Sequence, residues 1–146
     1  MTQNHDFIFQ PGEWVGEGTV SFSSSPDQMF FVTNWNVSPS NGQGIRCEQI
    51  VQMEGVEDNV RNHFSLSDIT SEKFDIALEN EIVGQVTGTG IIDDKSIAWE
   101  FQGQLGFQGY EVYELHSDGE YSFHAEYASP DQFRTIIDGR IRRKEG

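Results

Sequence analysis

The sequence predicts an all-β fold, a single closed up-and-down antiparallel barrel of about ten strands. Apolar and polar residues alternate with a period of two along most of the chain, whereas the 3.6-residue period of a helix is hard to find. The strand segments are short, and almost every connection has the length of a hairpin, whereas a Greek-key sandwich needs some long crossovers. A meander of this length leaves two exposed edges unless it closes, so closure is expected.

The first half of the chain contains five of these segments. Their alternation indicates one buried and one exposed face. The stretch 60–69 fits a short helix as well as a strand, and only its neighbours favour a strand. The predicted strands lie at 13–22, 29–37, 45–54, 60–69 and 74–78. Turn-forming Pro, Gly, Asp, Asn and Ser residues separate the first four of them, at 23–28, 39–42 and 57–59.

The second half of the chain continues the pattern. The sequence Ser117-Asp118-Gly119 is a strong hairpin signal, because glycine supplies the positive φ that a tight turn requires. The predicted strands lie at 82–92, 97–102, 107–116, 121–127 and 133–141. The connections between them are predicted at 93–94, 103–106, 117–119 and 128–132.

The length of 146 residues favours one domain, with residues 1–11 as an N-terminal segment and residues 12–144 as the barrel. The single cysteine, Cys47, excludes an internal disulfide and a cysteine-rich zinc site. No run of about 20 apolar residues is present, so no membrane-spanning helix is expected. The first residues lack the features of a signal peptide, and a cytoplasmic location is therefore expected.

The chain is strongly acidic, with 24 acids against nine bases and a net charge of −15. Five of the nine bases lie within residues 134–146, so the rest of the chain is more negative still. Such a surface repels nucleic acid and anionic lipid, because both need Lys and Arg to displace counterions. Acidity of this kind usually serves solubility, and the alternative is attraction of a cationic ligand or partner.

The charges of the two terminal strands are consistent with closure. Glu13 and Glu17 point away from the apolar face of the first strand, and Arg140 and Arg142 point away from that of the last strand. If these strands pair antiparallel, the four side chains meet on the outer surface, where they would set register more than stability. The alternative is that the basic end is a solvated tail.

The sequence from Gly12 to Gly18, Gly-Glu-Trp-Val-Gly-Glu-Gly, resembles the G-x-W opening of the calycin superfamily. Lipocalins begin their barrel in this way, and the longer G-x-W-x-G-x-G pattern is most similar to nitrobindin-type haem barrels. Fatty-acid-binding proteins share the ten-strand barrel but usually carry a helical lid after the first strand. The six residues 23–28 leave no room for such a lid. The resemblance implies a lipocalin-like barrel.

The resemblance also implies structural roles. In lipocalins the motif tryptophan plugs the closed end of the barrel, and an arginine near the last strand packs across it. Trp14 matches the tryptophan, and Arg143 is the inward-facing candidate for the arginine because it shares parity with Ile141. Gly16 and Gly18 lie on the inward face, where a missing Cβ permits strong coiling or leaves volume free.

No cofactor or metal is expected. Haem needs an axial ligand, most naturally histidine, and the last strand, where a nitrobindin-like protein would carry it, has none. Of the four histidines, His5 is expected in a mobile tail, whereas His63, His116 and His124 alternate with inward residues. The acidic pairs in the turns at 57–58 and 93–94 lack the ligand spacing of a calcium loop.

No catalytic motif is present. The chain has no Gly-x-Ser-x-Gly sequence, and Cys47 has no evident base partner. Most acids face outward by parity, but Glu111 shares a face with Phe107, Gly109 and Tyr113, so it is a candidate polar anchor inside a cavity. An exposed strand-end position explains Glu111 equally well.

The function expected from the sequence is binding of a small hydrophobic or aromatic ligand inside the barrel, because aromatic walls with a few polar groups are typical of small-molecule sites. The same residues could simply pack a core. Two other classes stay open: an enzyme on the same barrel (an isomerase, cyclase or chromophore lyase) and a protein-interaction module. The oligomeric state is open between monomer and dimer. The candidate ligand-binding residues are Phe31, Thr33, Trp35, Gln49, Val51, Phe64, Trp99, Phe101, Glu111, Tyr113, Tyr121 and Tyr127.

Overall fold

A computed structural model describes residues 5–23, 27–39, 44–81, 84–102, 108–128 and 134–144. Ten strands follow one another in chain order, each antiparallel to the next, and the last pairs with the first to close the barrel. This confirms the predicted fold class. The strands are β1 Gly12–Phe22, β2 Gln28–Val37, β3 Ile45–Met53, β4 Val60–Ser67, β5 Lys73–Asn80, β6 Gly84–Ile92, β7 Ser96–Gln102, β8 Gln108–Leu115, β9 Tyr121–Ala128 and β10 Arg134–Arg143.

The stretch that fitted a helix or a strand forms β4. Phe64 and Leu66 are buried and His63 and Ser65 are exposed, which is the period-two pattern of a strand with one face on the core. The strand ends at Ser67, so Ile69 lies beyond it. Within the described ranges, no helix has the length and apolar character needed to span a membrane.

Some predicted strand ends and turns lie outside the described residues. These are Ile82 of the sixth predicted strand, Phe107 of the eighth and Phe133 of the tenth, together with the connection 103–106 and parts of 23–28, 39–42 and 128–132. The remaining predicted strands, β4 included, agree with the structure to within two residues at their described ends.

The barrel closes between β1 and β10, in a register that places Trp14 opposite Arg143 and Glu17 opposite Arg140. The Arg142 guanidinium lies 3.4 Å from the Glu17 carboxylate on the outer surface. Exposed pairs of this kind contribute only about 0.2–1 kcal/mol. Closure therefore depends on the backbone ladder and on the apolar interior.

The other two residues predicted to meet across this seam, Arg140 and Glu13, make different contacts. Arg140 lies 3.7 Å from Asp118 and 3.5 Å from Glu120, in the hairpin between β8 and β9. Glu13 uses its backbone carbonyl, which accepts a hydrogen bond from the Lys144 N–H at 2.9 Å. The basic end of the chain thus continues the ladder as part of β10 up to Arg143.

The interior positions of β1 are tightly occupied by its neighbour β10. A Cβ at Gly16 would collide with the carbonyl oxygen of Arg140 and the side chain of Ile141. A Cβ at Gly18 would collide with the carbonyl oxygen of Asp138 and the ring of Phe31. Glycine at these two positions lets the strands approach closely enough to coil into a barrel.

The N-terminal segment closes one end of the barrel from inside. Phe7 and Ile8 are completely buried and Phe9 is 8% exposed. The backbone at Ile8 has a φ of 68°, which is uncommon for a β-branched residue, so the packing around it must hold this strained turn in place. We call residues 5–10 the plug.

The expectation that His5 lies in a mobile tail is wrong. His5 is 1% exposed, its Nδ1 lies 2.7 Å from the Tyr121 hydroxyl, and its Nε2 lies 2.6 Å from the carbonyl oxygen of Asp93. Because a carbonyl only accepts, Nε2 carries the hydrogen and donates, and Nδ1 accepts from Tyr121. These two hydrogen bonds fasten the plug to the start of β9 and to the connection before β7.

Trp14 lies beneath the plug and is 2% exposed. The ring of Phe7 meets it edge-on, with 5.3 Å between ring centroids, and Tyr121 meets it edge-on at 5.7 Å. The guanidinium of Arg143 is half exposed and lies 3.7 Å from the Asp6 carboxylate of the plug and 3.4 Å from the carbonyl oxygen of Pro11, which follows the plug. Trp14 therefore fills the closed end of the barrel together with Phe7.

Candidate functional site

A cavity of about 290 Å³ occupies the interior at the end opposite the plug. This volume is close to the lower limit of ligand pockets, which run from about 300 to 1,000 Å³. Its walls are mostly apolar, and its polar groups come from β3, β4, β5, β8, β9 and β10. The lining residues are Val20, Phe22, Phe31, Gln49, Val51, Met53, Val60, Asn62, Phe64, Leu78, Asn80, Glu111, Phe123, Ala125, Tyr127, Thr135 and Ile137.

Glu111 is the acidic residue of the cavity wall. It lies in the middle of β8, opposite Trp99 of β7 and Ala125 of β9, and it is 6% exposed. The inward parity of β8 runs through Gly109, Glu111 and Tyr113, so the alternation that buries Tyr113 also buries this carboxyl group.

Two phenols donate hydrogen bonds to the carboxyl group of Glu111. The Tyr113 hydroxyl donates to Oε1 at 2.7 Å, and the Tyr127 hydroxyl donates to Oε2. Tyr113 stacks on Trp99 with 5.0 Å between ring centroids and on Phe123 at 5.2 Å, which fixes the position of its phenol. Each carboxyl oxygen keeps a second acceptor position, which a group in the cavity can use.

Burial raises the pKa of Glu111 above its usual value, although the hydrogen bonds from Tyr127 and Tyr113 act in the opposite direction. The indole N–H of Trp99 also favours the charged form of the Glu111 carboxyl group. Within the described residues this N–H makes no hydrogen bond. Burial and the neighbouring negative charge raise the pKa of both Tyr113 and Tyr127 well above the usual value. Of the three side chains Glu111, Tyr113 and Tyr127, the one that exchanges its proton most easily is therefore Glu111.

A chain of neutral polar side chains crosses the opposite wall, from β2 to β5. Asn80 Nδ2 donates to Asn62 Oδ1 at 2.9 Å, Asn62 Nδ2 donates to Gln49 Oε1 at 2.9 Å, and Gln49 Nε2 donates to Thr33 Oγ1 at 3.1 Å. We call Thr33, Gln49, Asn62 and Asn80 the amide chain. Each link satisfies a polar group inside the barrel, so the wall offers polarity without charge.

The twelve candidate ligand-binding residues all lie inside the barrel, but in two layers. Six line the cavity: Phe31, Gln49, Val51, Phe64, Glu111 and Tyr127. The other six are buried behind it or toward the plug: Thr33, Trp35, Trp99, Phe101, Tyr113 and Tyr121. Trp35, for example, meets Phe7 edge-on at 5.2 Å and stacks on Phe64 at 5.1 Å, so it joins the plug to the cavity wall.

Sequence reasoning missed much of the cavity wall. Asn62 and Asn80 share the inward parity of Phe64 and Leu78, so alternation alone could have identified them. The same signal applies to the other lining residues that were not among the candidates, which are Val20, Phe22, Met53, Val60, Leu78, Phe123, Ala125, Thr135 and Ile137.

Solved structures with the same fold were found at low sequence identity. The S-type phycobiliprotein lyase CPES from Guillardia theta matches with a TM-score of 0.71 and 8% identity, over 94% of this chain and 89% of that chain. Rv2717c from M. tuberculosis matches with a TM-score of 0.68 and 12% identity, over 92% of each chain. EF1p2_mFAP2b, solved bound to DFHBI, matches with a TM-score of 0.54 and 9% identity, over 98% of this chain and 100% of that chain.

These identities show a common fold and no more. A comparison with protein-family models found no match, and a comparison with curated proteins found none. The closed ten-strand barrel and its structural neighbours together fit a calycin-like fold.

Proposed function

We propose that the barrel binds a small, mainly apolar or aromatic ligand in the cavity beside Glu111. The observation that carries this proposal is the cavity of about 290 Å³, whose mostly apolar wall contains a few polar groups in fixed positions. An interior that served only as a core would be filled to crystal-like density. Two structural neighbours, a phycobiliprotein lyase and a protein bound to DFHBI, support a ligand-related role for the fold.

The experiment is a titration with N-phenyl-1-naphthylamine, a neutral aromatic probe whose fluorescence rises in apolar surroundings. We expect saturable binding of one probe per chain. The matched variants are Val51→Trp, which fills the cavity, and Val32→Trp, which adds the same bulk to an outer position that is 53% exposed. Binding should be lost in the first variant and kept in the second. Equal binding by both variants, or no saturable binding to the native chain, would refute the proposal.

Catalysis on the bound ligand is the second candidate function. It is favoured by one observation, the buried carboxyl group of Glu111 with phenols on both oxygens, since burial raises the pKa of this acid and places its proton beside the cavity, where a bound compound could exchange it. Compounds that bind in the titration would be incubated with the native chain and with Glu111→Gln, and the mixtures analysed by mass spectrometry and absorbance. A product formed only by the native chain supports an enzyme; an unchanged compound in both supports a binding protein.

A further inference from the structure

We propose that the ligand of this cavity carries one positive charge, as a protonated amine or a comparable nitrogen cation, and that this charge pairs with Glu111. The inference rests on the proposed function and specifies the chemical class of the ligand. It follows from the distribution of charge between the inside and the outside of the barrel.

No side-chain cation of the chain is available to Glu111. All nine Lys and Arg residues fall within the described ranges, and all nine are exposed on the outer surface or at the ends of the barrel. His63 and His116 are exposed, and His124 lies on the outer face between Glu126 and Asp138. The fourth histidine, His5, is occupied at the plug end by Tyr121 and Asp93.

The groups around Glu111 are neutral hydrogen-bonding or apolar groups. On its own strand and on β9 these are Tyr113, Tyr127 and Ala125, and on β7 it is Trp99. The polar groups of the opposite cavity wall belong to the amide chain, which has no charge. An ionised carboxylate in these surroundings has donors but no opposite charge, so a ligand cation would supply the missing partner.

The two phenols prepare Glu111 to act as an acceptor. They donate to one oxygen each and so hold the carboxyl group in one orientation, with lone pairs left for a donor in the cavity. A nitrogen cation would donate a charge-assisted hydrogen bond, which is shorter and about twice as strong as a neutral one. The cavity wall also contains the aromatic rings of Phe31, Phe64 and Tyr127, and aromatic rings attract cations.

The net charge acts in the same direction. At −15 the whole molecule attracts cations and repels anions, and no described Lys or Arg lies inside to hold a ligand carboxylate. An anionic ligand, such as a fatty acid, would bring a second negative charge next to Glu111. We therefore expect the cavity to select against organic anions.

The test compares three probes with the same ring system: 2-naphthylmethylamine, 2-naphthylmethanol and 2-naphthoic acid, titrated by calorimetry at pH 7 into the native chain. The amine should bind about tenfold or more tightly than the alcohol, the difference expected for one hydrogen bond between charged groups, and the acid should not bind. Glu111→Gln should bring the amine to the affinity of the alcohol. Glu114→Gln, which removes an exposed carboxyl group from the same strand, should keep the order of the three probes.

The outcomes separate this inference from the proposed function. Binding of the alcohol as tightly as the amine, blocked by Val51→Trp, would overturn the cation inference and leave the cavity as a ligand site. An amine preference that survives in Glu111→Gln would also overturn it. If neither these probes nor N-phenyl-1-naphthylamine binds to a chain that circular dichroism shows to be folded, both proposals fail.

Discussion

The ring of Tyr127 packs directly over the backbone of Gly109, its register partner on the neighbouring strand. A Cβ at Gly109 would overlap the ring atoms of Tyr127. The absence of a side chain on β8 therefore determines where the phenol on β9 lies, and from that position it reaches the Glu111 carboxyl group. Gly109 acts on the cavity through Tyr127, as a positioning residue.

Gly109→Ala is expected to displace Tyr127 and to weaken ligand binding. The added methyl group overpacks a close contact, which typically costs about 1–3 kcal/mol of stability, and it separates the phenol from Glu111. The affinity for 2-naphthylmethylamine and urea denaturation are the measurements. Tyr127→Phe is the comparison variant. It keeps the ring over Gly109 and removes only the hydroxyl group, so it separates loss of the hydrogen bond to Glu111 from displacement of the ring. If Gly109→Ala binds and unfolds like the native chain, Gly109 has no positioning role.

The plug is expected to contribute much of the stability of the closed end. Phe7 is completely buried and its ring centroid lies within 5.6 Å of those of Trp14, Trp35, Tyr113 and Tyr121. Phe7→Ala should lower the free energy of unfolding by about 3–5 kcal/mol, the usual cost of an emptied aromatic site. The control Phe30→Ala removes the same side chain from a position that is 62% exposed, and it should change stability by no more than about 0.5 kcal/mol. If Phe7→Ala lowers the free energy of unfolding by as little as Phe30→Ala does, the plug is not part of the cooperative fold.

The barrel and the plug differ in how far the sequence determines them. Alternation of buried and exposed residues predicts ten strands and the inward position of Glu111, because each strand has one face on the interior. The plug has no such period. The one indication of burial in its sequence is the run of three apolar residues from Phe7 to Phe9, which is not expected in a solvated tail.

The cavity, unlike the plug, lies within the alternating pattern, yet the sequence predicts it only in part. Parity indicates which side chains point inward, but it does not distinguish a side chain that lines a space from one that fills it. Trp99 and Glu111 are register partners with the same parity, yet only Glu111 faces the cavity. Alternation places Asn62 and Asn80 on the inward face, but it does not show the amide chain, whose hydrogen bonds join four strands only in the closed barrel.

Cys47 is expected to be unreactive in the folded chain. It is 3% exposed, and burial raises the pKa of its thiol to about 12, so very little of the nucleophilic thiolate exists at pH 8. Incubation with iodoacetamide at pH 8 should leave the native mass unchanged and add one label in concentrated urea, since this is the only cysteine of the sequence. Rapid labelling of the native chain would mean that β3 opens locally around Cys47.

The carboxyl group of Glu111 is expected to make stability depend on pH. Its pKa is raised in the folded chain relative to the ordinary value of 4.5, so the folded state holds this proton more firmly than the unfolded state does. The stabilising effect of the proton is complete below the unfolded pKa and is lost as the pH rises through the folded pKa.

Relative to the native chain, Glu111→Gln should therefore gain stability as the pH rises from about 4, by about 1.4 kcal/mol for each unit by which folding raises the pKa. Urea denaturation of both chains across this range measures the difference. The control is Glu114→Gln, an exposed position on the same strand, which should show no such gain. A native chain that becomes steadily more stable than Glu111→Gln as the pH rises would contradict the raised pKa.

Binding of a cationic ligand is expected to release a proton from Glu111. Below the folded pKa the free cavity holds a neutral acid, and an amine cation pairs best with the carboxylate, so binding the amine expels the acid proton to solvent. The apparent affinity for 2-naphthylmethylamine should rise with pH until Glu111 is ionised in the free chain, and then stay constant. Calorimetry in two buffers of different ionisation enthalpy, at one pH below that plateau, measures the protons released. We expect up to one for the native chain and none for Glu111→Gln; equal binding heats in both buffers for the native chain would mean that Glu111 keeps its proton and does not pair with the cation.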